Sequence, residues 1–363
     1  RHPRWADFMP LTPDWVIINK LRTLFLVGRI LTTHVIQVAV MKRRITLGVS
    51  LCHLLLSGVG HAQPDKLALA KWNTRFSQNL EQPHIDRLPG YPKLRDVHDL
   101  ELQRALEQGL SELKLDATTE RRQMSVALVD ITEPDHPRLA EVNGDTMFYA
   151  ASLPKIAILW GAFQRIADGE MVLDEETEQQ LTRMIRNSSN PAATTMLNRV
   201  GKAYLAELLQ SAPYRFYDPD QGGGLWVGKE YAKQGAWKRD PLHNISHGAT
   251  ALQVARFYYF LETGRLVSPF YSRTMKSILA DSAINHKFVR GLHQQHPNAK
   301  IYRKSGSWRN AHADSALIER QGRRYIAVSL VDDPRGGELL SQLIVKLDDI
   351  IFATPTLAKS AVV

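Results

Sequence analysis

Between residue 92 and residue 351, some segments have apolar residues at the spacing of a helix, and others are short runs typical of strands. In residues 92–113 they fall at the spacing of an amphipathic helix. Residues 124–130 and 139–148 are short apolar runs joined by a turn at Glu133-Pro134-Asp135, and they predict two strands. Further on, the pattern predicts helices over 152–261, strands near 300–307, 313–319 and 325–331, and a last helix over 339–351.

The order of these elements favours one fold class. Strands lie near both ends of this region and helices fill the middle, so the two ends are expected to share one sheet. We predict an α+β fold in which an antiparallel sheet, flanked by helices, is built from both chain ends and an all-helical lobe is inserted. The predicted domain spans residues 92–355, with an α/β part at about 92–150 and 265–355 and a helical lobe at about 151–264.

The residues before this domain divide into three predicted segments. Residues 41–62 combine a basic start, an apolar stretch and small residues ending at Ala62, which is typical of a secretory signal peptide. We interpret residues 1–40 as an upstream or non-native segment and residues 63–91 as a polar lead. We expect an exported protein, periplasmic or secreted, without stable membrane insertion after cleavage. A membrane anchor at 45–59 is the alternative, although His53 interrupts that short stretch.

Charge and cysteine content narrow the possible functions. The formal net charge is +9, but residues 1–62 hold 8 basic and only 2 acidic residues, so the remainder is nearly balanced. No basic tract with interleaved aromatic residues occurs in that remainder, and we predict no nucleic-acid role. Cys52, the single cysteine, lies in the predicted signal peptide. The mature chain therefore has no thiol for a disulfide, a nucleophile or a metal site.

Three short motifs carry the candidate chemistry. They are Ser152-Leu153-Pro154-Lys155, Ser188-Ser189-Asn190 and Lys304-Ser305-Gly306. A serine three residues before a lysine lies on the same face of a helix start, where the amine can activate the hydroxyl. Near a helix N-terminus, unpaired backbone N–H groups favour an anionic intermediate. The third motif precedes the apolar run 325–331 and suits a strand at the edge of a cleft.

Each motif alone is weak, since an ordinary helix start with a solvated lysine explains the first one equally well. Taken in order, the three motifs resemble the penicillin-recognising serine hydrolases, and their surroundings are most similar to class A β-lactamases. The similar stretches are residues 148–155, 187–197 and 304–331, and the resemblance covers about residues 90–355. It implies the fold predicted above, with the active site between sheet and helical lobe.

The resemblance also implies a role for each motif residue. Ser152 is the expected nucleophile, Lys155 accepts or relays its proton, and Ser188 passes a proton to the leaving nitrogen. Asn190 is expected to bind Lys155 and the substrate amide, whereas Lys304, Ser305 and Gly306 line the subsite for a substrate carboxylate. The backbone N–H groups of Ser152 and Ser307 are the implied oxyanion hole. No metal and no cofactor is implied.

Two departures from the family pattern bear on turnover. The family places a glutamate after the second motif, on the loop that positions the deacylating water. Glu230, followed by Gln234, is the nearest candidate here; the alternative is a surface residue paired with Lys229 or Lys233. Ser152 and Ser188 are also only 36 residues apart. This short spacing predicts a reduced helical lobe and a wider cleft.

Other candidates have simpler explanations. His243 and His247 are four residues apart, and His286, His293 and His296 are clustered, but no acidic or cysteine partner completes a ligand set. We interpret them as solvated or locally hydrogen-bonded. Of the tryptophans, Trp308 is expected near the cleft, whereas Trp226 and Trp237 are expected to pack inside the protein.

The leading functional hypothesis is hydrolysis of β-lactam antibiotics by a monomer. The first alternative is a D-Ala-D-Ala peptidase that acts on peptidoglycan stem peptides. An alternative of another class is a binding or sensing protein that is acylated and does not turn over. Because Glu230 is the only candidate for the deacylating base, it decides between the first and the third hypotheses.

Overall fold

The computed structural model describes residues 90–354. The predicted signal peptide, the upstream segment and nearly all of the lead lie outside these residues. The ten helices within them are α1 Leu100–Glu112, α2 Asp116–Glu120, α3 Lys155–Ala167, α4 Glu175–Arg186, α5 Asn190–Val200, α6 Lys202–Gln210, α7 Ala251–Glu262, α8 Pro269–Leu279, α9 Phe288–Gln295 and α10 Gly336–Ala353. None of them has both the length and the apolar character needed to cross a membrane.

Ten strands accompany these helices, and five of them form the main sheet. The strands are β1 Met124–Asp130, β2 Arg138–Val142, β3 Phe148–Tyr149, β4 Tyr217–Asp218, β5 Gly223–Gly224, β6 Trp226–Val227, β7 His247–Ala249, β8 Lys300–Trp308, β9 Ala311–Arg320 and β10 Arg323–Asp332. The main sheet has the order β2-β1-β10-β9-β8, and every neighbouring pair is antiparallel. The predicted fold class, an antiparallel sheet built from both ends of the domain, is confirmed.

The main sheet is covered on both faces, since side chains alternate along its strands. On β1, Val126 and Leu128 face one core together with apolar residues of α1, α9 and α10. Ala127 and Val129 face the other core, which includes apolar residues of α3, α5 and α7. α3 is buried from Lys155 to Phe163 and again at Ile166, within the second core. The start of the helix that follows the first motif is therefore held by packing.

Three details differ from the expected elements. The predicted helix over 92–113 is a 3₁₀ turn, Leu94–Asp96, followed by α1, because Asp99 caps α1 by accepting from the Leu102 N–H. The predicted strand over 139–148 is divided at Asn143, whose positive φ of 55° turns the chain. The helical lobe contains the short strands β4–β7, and α8 and α9 were not predicted.

Candidate active site

Ser152 lies in a tight turn between β3 and α3. The Leu153 N–H donates to the Ala150 carbonyl at 3.0 Å, and the Lys155 N–H donates to the Ser152 carbonyl at 3.3 Å. Regular helix begins only at Lys155, so Ser152 precedes the helix instead of lying in its first turn as predicted. The serine is half-buried and the lysine is buried. The turn thus leads directly from the half-buried Ser152 to the buried Lys155.

The amine of Lys155 is surrounded by neutral oxygen atoms. Its Nζ donates to the Ser188 carbonyl at 2.7 Å and to the Asn190 Oδ1 at 2.8 Å, and the Ser188 hydroxyl lies at 3.4 Å. The ring of Tyr231 lies 4.5 Å from Nζ. Burial lowers the pKa of Lys155 to about 7. Since no carboxylate within residues 90–354 forms an ion pair with it, a large fraction of this amine is neutral at pH 7.

Ser188 connects the amine of Lys155 with that of Lys304. The Lys304 Nζ donates to the Ser188 hydroxyl at 2.9 Å and to the Ser305 carbonyl at 2.7 Å. Ser188 has a positive φ of 53°, and Ser189 then caps α5 by accepting from the Ala192 N–H. A hydroxyl between two amines can receive a proton from one side and donate one to the other. The three motifs therefore meet around one hydroxyl group.

Lys304 lies on β8, which is the edge strand of the main sheet as predicted. Its side chain is buried, and burial followed by the nearby positive charge of Lys155 holds its pKa well below the usual value. Two amines that share Ser188 repel each other when both are charged. Loss of a proton from either amine relieves this repulsion.

Gly306 allows β8 to pack closely against the turn that contains Ser152. A Cβ at this position would lie 2.0 Å from the Ala150 carbonyl oxygen and 2.8 Å from the Ser152 nitrogen. No side chain fits in that space, so the third motif requires glycine for contact between the two segments. Ser307 is the next residue of β8 after this contact.

A buried ion pair supports β8 from behind. Arg303 donates from Nε and Nη2 to the two carboxylate oxygens of Asp314, both at 2.8 Å. The same guanidinium donates to the carbonyls of Ile284 and His286, which fixes the loop before α9. From this loop the His286 ring reaches the Ser305 hydroxyl at 3.3 Å. Burial and the surrounding cations lower the pKa of His286 to about 4, so the ring is neutral at pH 7.

Lys287, in the same loop, is also buried beneath β8. Its Nζ donates to the Gly306 carbonyl, the Ser307 hydroxyl and the Ala313 carbonyl. Arg303, Asp314 and Lys287 were not predicted from the sequence, and His286 was interpreted only as solvated or locally hydrogen-bonded. One available signal was Asp314, an aspartate that directly precedes the largely apolar segment 315–318 within β9. A buried carboxylate of this kind requires a cation from a neighbouring element.

Glu230 lies away from the amine of Lys155. Its carboxylate is bound by Lys202 at 2.6 Å, and this bond lowers the pKa of Glu230. Tyr231, the next residue, faces Lys155 instead and donates its hydroxyl to the Ala151 carbonyl at 3.3 Å. The structure thus gives no support to Glu230 as the deacylating base. The expected pairing with Lys229 or Lys233 is wrong, because the partner is Lys202 on α6.

The remaining candidates are placed as follows. The rings of His243 and His247 contact the carbonyls of Gly222 and Lys229, and residues 90–354 contain no group of His, Cys, Asp or Glu suited to a metal. Trp308 ends β8 and is exposed, and Trp226 is buried. Trp237 is 46% exposed, so its predicted packing inside the protein is wrong.

The fold and the meeting of the three motifs define the penicillin-recognising serine hydrolases as the class of this protein. A model of the Beta-lactamase enzyme family matches residues 105–180 and 176–354. The chain therefore belongs to the β-lactamase enzyme family and is a serine hydrolase of this superfamily. No curated protein matches the chain.

Several solved structures share the fold. PBP-A has 18% sequence identity and a TM-score of 0.54, with 74% of this chain and 100% of that chain covered. A β-lactamase from Sphaerobacter thermophilus DSM 20745 has 16% identity and a TM-score of 0.53, with coverage of 70% and 98%. A class A β-lactamase from Bacteroides cellulosilyticus DSM 14838 has 14% identity and a TM-score of 0.55, with coverage of 70% and 99%. These likenesses establish the fold.

Proposed function

We propose that the protein hydrolyses the amide of β-lactam antibiotics through an acyl-enzyme at Ser152. The observation that carries this proposal is the environment of Lys155, a buried amine held by neutral oxygen atoms directly after the Ser152 turn. With a pKa of about 7, the amine is available at neutral pH as an acceptor for the serine proton. An unactivated serine is a poor nucleophile, so this acceptor is the part that the reaction requires.

The contacts of Ser188 support a complete proton path for acylation. The Ser152 oxygen attacks the carbonyl carbon while Lys155 accepts the proton, and the resulting oxyanion faces the N–H groups of Ser152 and Ser307. When the C–N bond breaks, the leaving nitrogen takes the proton of the Ser188 hydroxyl. Ser188 regains a proton from Lys155, whose protonated amine contacts its hydroxyl. The products are a Ser152 ester and a neutral Lys155 after the proton returns through this path.

Release requires an acceptor for a proton of water. Lys155 is the candidate for this step as well, because Glu230 is held by Lys202 and Tyr231 is the residue that faces the amine. Because Lys155 then serves both acylation and release, this proposal has no second base that is dedicated to activating water. We therefore propose that release is slower than acylation.

The substrate is proposed to carry a carboxylate beside the reacting amide. Lys304, the Ser305 hydroxyl and the His286 ring form a polar group of donors on the sheet side of the site. β-Lactams and D-Ala-D-Ala ends both have a carboxylate in this position. A mutant of PBP-A has been solved as an acyl-enzyme complex with penicillin G, which supports β-lactams as acylating substrates in this fold.

The second candidate is a peptidase that cleaves D-Ala-D-Ala ends of peptidoglycan stem peptides. It is favoured by the Glu230–Lys202 pair, since a peptidase has no need of a rapid base for β-lactam release. For either activity, export by the predicted signal peptide would bring the protein to its substrate. A binding or sensing role would follow if no release occurs at all.

These activities are distinguished by intact-mass spectrometry of the mature protein, from Gln63 onward, with a chromogenic cephalosporin. We expect a covalent adduct together with continued colour formation, and neither in Ser152→Ala. An adduct that persists after about one turnover would instead favour the peptidase or the sensor. An assay with a D-Ala-D-Ala peptide then distinguishes these two, because only the peptidase cleaves it. Absence of any adduct in the wild type would overturn the proposed site.

A further inference from the structure

Lys287 is a buried cation whose hydrogen bonds all go to neutral oxygens. It lies in the loop before α9, and only 1% of it is exposed. Its Nζ donates to the Gly306 carbonyl at 2.5 Å, the Ser307 hydroxyl at 2.8 Å and the Ala313 carbonyl at 3.1 Å. An ammonium group has three hydrogens, so its donors are fully used. The nearby carboxylate of Asp314 is occupied by Arg303.

The first of these acceptors belongs to the peptide group that joins Gly306 to Ser307. This peptide is trans, and in a trans peptide the C=O and the N–H point in opposite directions. Because Lys287 bridges the carbonyls of Gly306 and Ala313, the Gly306 carbonyl points towards β9. The Ser307 N–H therefore points to the free edge of β8. The Ser152 turn packs on the face of β8 at Gly306, the preceding residue.

A cation bound to a peptide oxygen withdraws electron density from the N–H of the same peptide. Linked hydrogen bonds polarise one another in this way, and charge-assisted bonds do so more strongly. The effect is largest where water is excluded, as it is beneath β8. The Ser307 N–H is thus a stronger donor than an ordinary backbone amide.

We propose that Lys287 is a positioning residue of the oxyanion hole, whose ammonium polarises the Gly306–Ser307 peptide and so stabilises the oxyanion formed at Ser152. This inference rests on the proposed function, because it requires an acyl group whose carbonyl oxygen faces the Ser307 N–H. It adds a fixed charge behind the oxyanion hole to the residues of the three motifs.

The charge of Lys287 is present at neutral pH. Burial lowers its pKa to about 8, with Asp314 of β9 raising the value and Arg303 of β8 lowering it. His286 of the same loop and His312 of β9 also lie near Lys287, and both have lowered pKa values, so they are neutral at pH 7. As the pH rises through about 8, Lys287 loses its proton and the polarisation is lost.

The test compares the ester carbonyl of the acyl-enzyme in wild type and in Lys287→Met. The acyl-enzyme is formed with a β-lactam labelled with ¹³C at its reacting carbonyl, and infrared difference spectroscopy gives the carbonyl stretch. We expect a higher wavenumber in Lys287→Met, since its oxyanion hole donates more weakly. We also expect acylation about tenfold slower, less than the about 100-fold to 1000-fold cost of removing a donor. An unchanged stretch would overturn the inference.

Lys276→Met is the matched control. Lys276 is also largely buried and contacts the same sheet, but it pairs with Glu262 and Glu319, away from Gly306. This variant loses a buried lysine without losing the bond to the peptide group. We expect its carbonyl stretch to equal that of the wild type, and a shift equal to that of Lys287→Met would overturn the inference.

A second pair of measurements serves if Lys287→Met does not fold. The carbonyl stretch of the wild type is followed from pH 7 to pH 9.5 beside that of Lys287→Arg, because arginine keeps its charge over this range. We expect the wild-type stretch to rise through about pH 8 and the arginine variant to stay constant. A wild-type stretch that stays constant would overturn the inference about Lys287 but not the proposed function. Absence of a wild-type adduct overturns the proposed function, and the inference with it.

Discussion

Two regions of the candidate active site, here called the sheet wall and the loop wall, differ in how their residues are held. The sheet wall, residues 303–308 with the loop 282–288 behind it, is fixed by the Arg303–Asp314 pair and by the three bonds of Lys287. The loop wall, residues 228–240, has no regular helix or strand, and its Trp237 is 46% exposed. The only group it brings to Lys155 is the ring of Tyr231.

This difference separates the two halves of the proposed reaction. The sheet wall supplies the groups for acylation, namely the carboxylate subsite and one side of the oxyanion hole. In the loop wall, the one candidate base for release, Glu230, is bound to Lys202. In this proposal, the site holds the groups needed to form an acyl-enzyme but has no base dedicated to releasing it.

Replacing Lys155 has the largest expected effect, because its amine is the proposed proton acceptor in both acylation and release. Lys155→Met keeps the length of the side chain but removes the proton acceptor, so we expect acylation to slow by about 100-fold to 10,000-fold. Rapid-quench intact-mass measurements give the acylation rate. Ser152→Ala, which lacks the hydroxyl that is acylated, gives the background signal. A rate within about threefold of wild type would show that another group serves as the base.

Gly306→Ala breaks the sheet wall at its contact with the turn that contains Ser152. The added Cβ would lie 2.0 Å from the Ala150 carbonyl oxygen, so β8 must move away from Ser152. A displacement of about 1 Å in a site of this kind costs about 100-fold in rate. Gly337→Ala, in α10, controls for loss of a glycine, because the backbone there is helical and the nearest atom to the added Cβ is the His312 Nδ1 at 3.9 Å. Equal acylation rates in the two variants would contradict the account.

Arg303→Met tests what holds the sheet wall in place. Loss of one partner leaves Asp314 buried and unpaired, which costs about 3–5 kcal/mol of stability. Thermal unfolding should show the loss directly. The double variant Arg303→Met/Asp314→Leu should recover much of the stability, because an apolar pair replaces an ion pair at little net cost. A single variant as stable as wild type would mean that this pair does not support β8.

The acylation rate should also depend on pH in a definite direction. Lys155 has a pKa of about 7, and only its neutral form accepts a proton, so the rate should rise as the pH increases through 7. The neutral fraction grows about tenfold per pH unit below the pKa, which sets the slope of the acid limb. Measurement of single-turnover rates from pH 5 to pH 8 tests this. A rate that falls over the same range would contradict the role of Lys155.

The smallest expected effect comes from the loop wall. Glu230→Ala removes a partly exposed carboxylate that pairs with Lys202, and we expect the release rate to change by less than about twofold. The lifetime of the acyl-enzyme, followed by intact mass, gives this rate. An acyl-enzyme that lasts at least tenfold longer would restore Glu230 as the base and remove the difference between the walls.

The sequence predicted the sheet wall and the motifs better than the loop wall. The predicted strands at 124–130, 300–307, 313–319 and 325–331 lie nearly at the observed bounds of β1, β8, β9 and β10, because most of them are short runs rich in apolar residues. The motifs Ser152 to Lys155 and Lys304 to Gly306 were found because their spacing is local. The partner of Glu230 could not be found in this way, since Lys202 is 28 residues away and on another element. The same holds for His286 and Lys287, whose contacts depend on how a loop without regular spacing folds against β8.

Slow release of the acyl group is tested by a rapid-mixing time course with a chromogenic cephalosporin at saturating concentration. We expect a burst of about one equivalent of colour per enzyme followed by slower steady turnover, with the Ser152 ester as the accumulated species. Linear turnover without a burst, and without detectable ester, would show that release is faster than acylation and would contradict the assigned difference between the two walls.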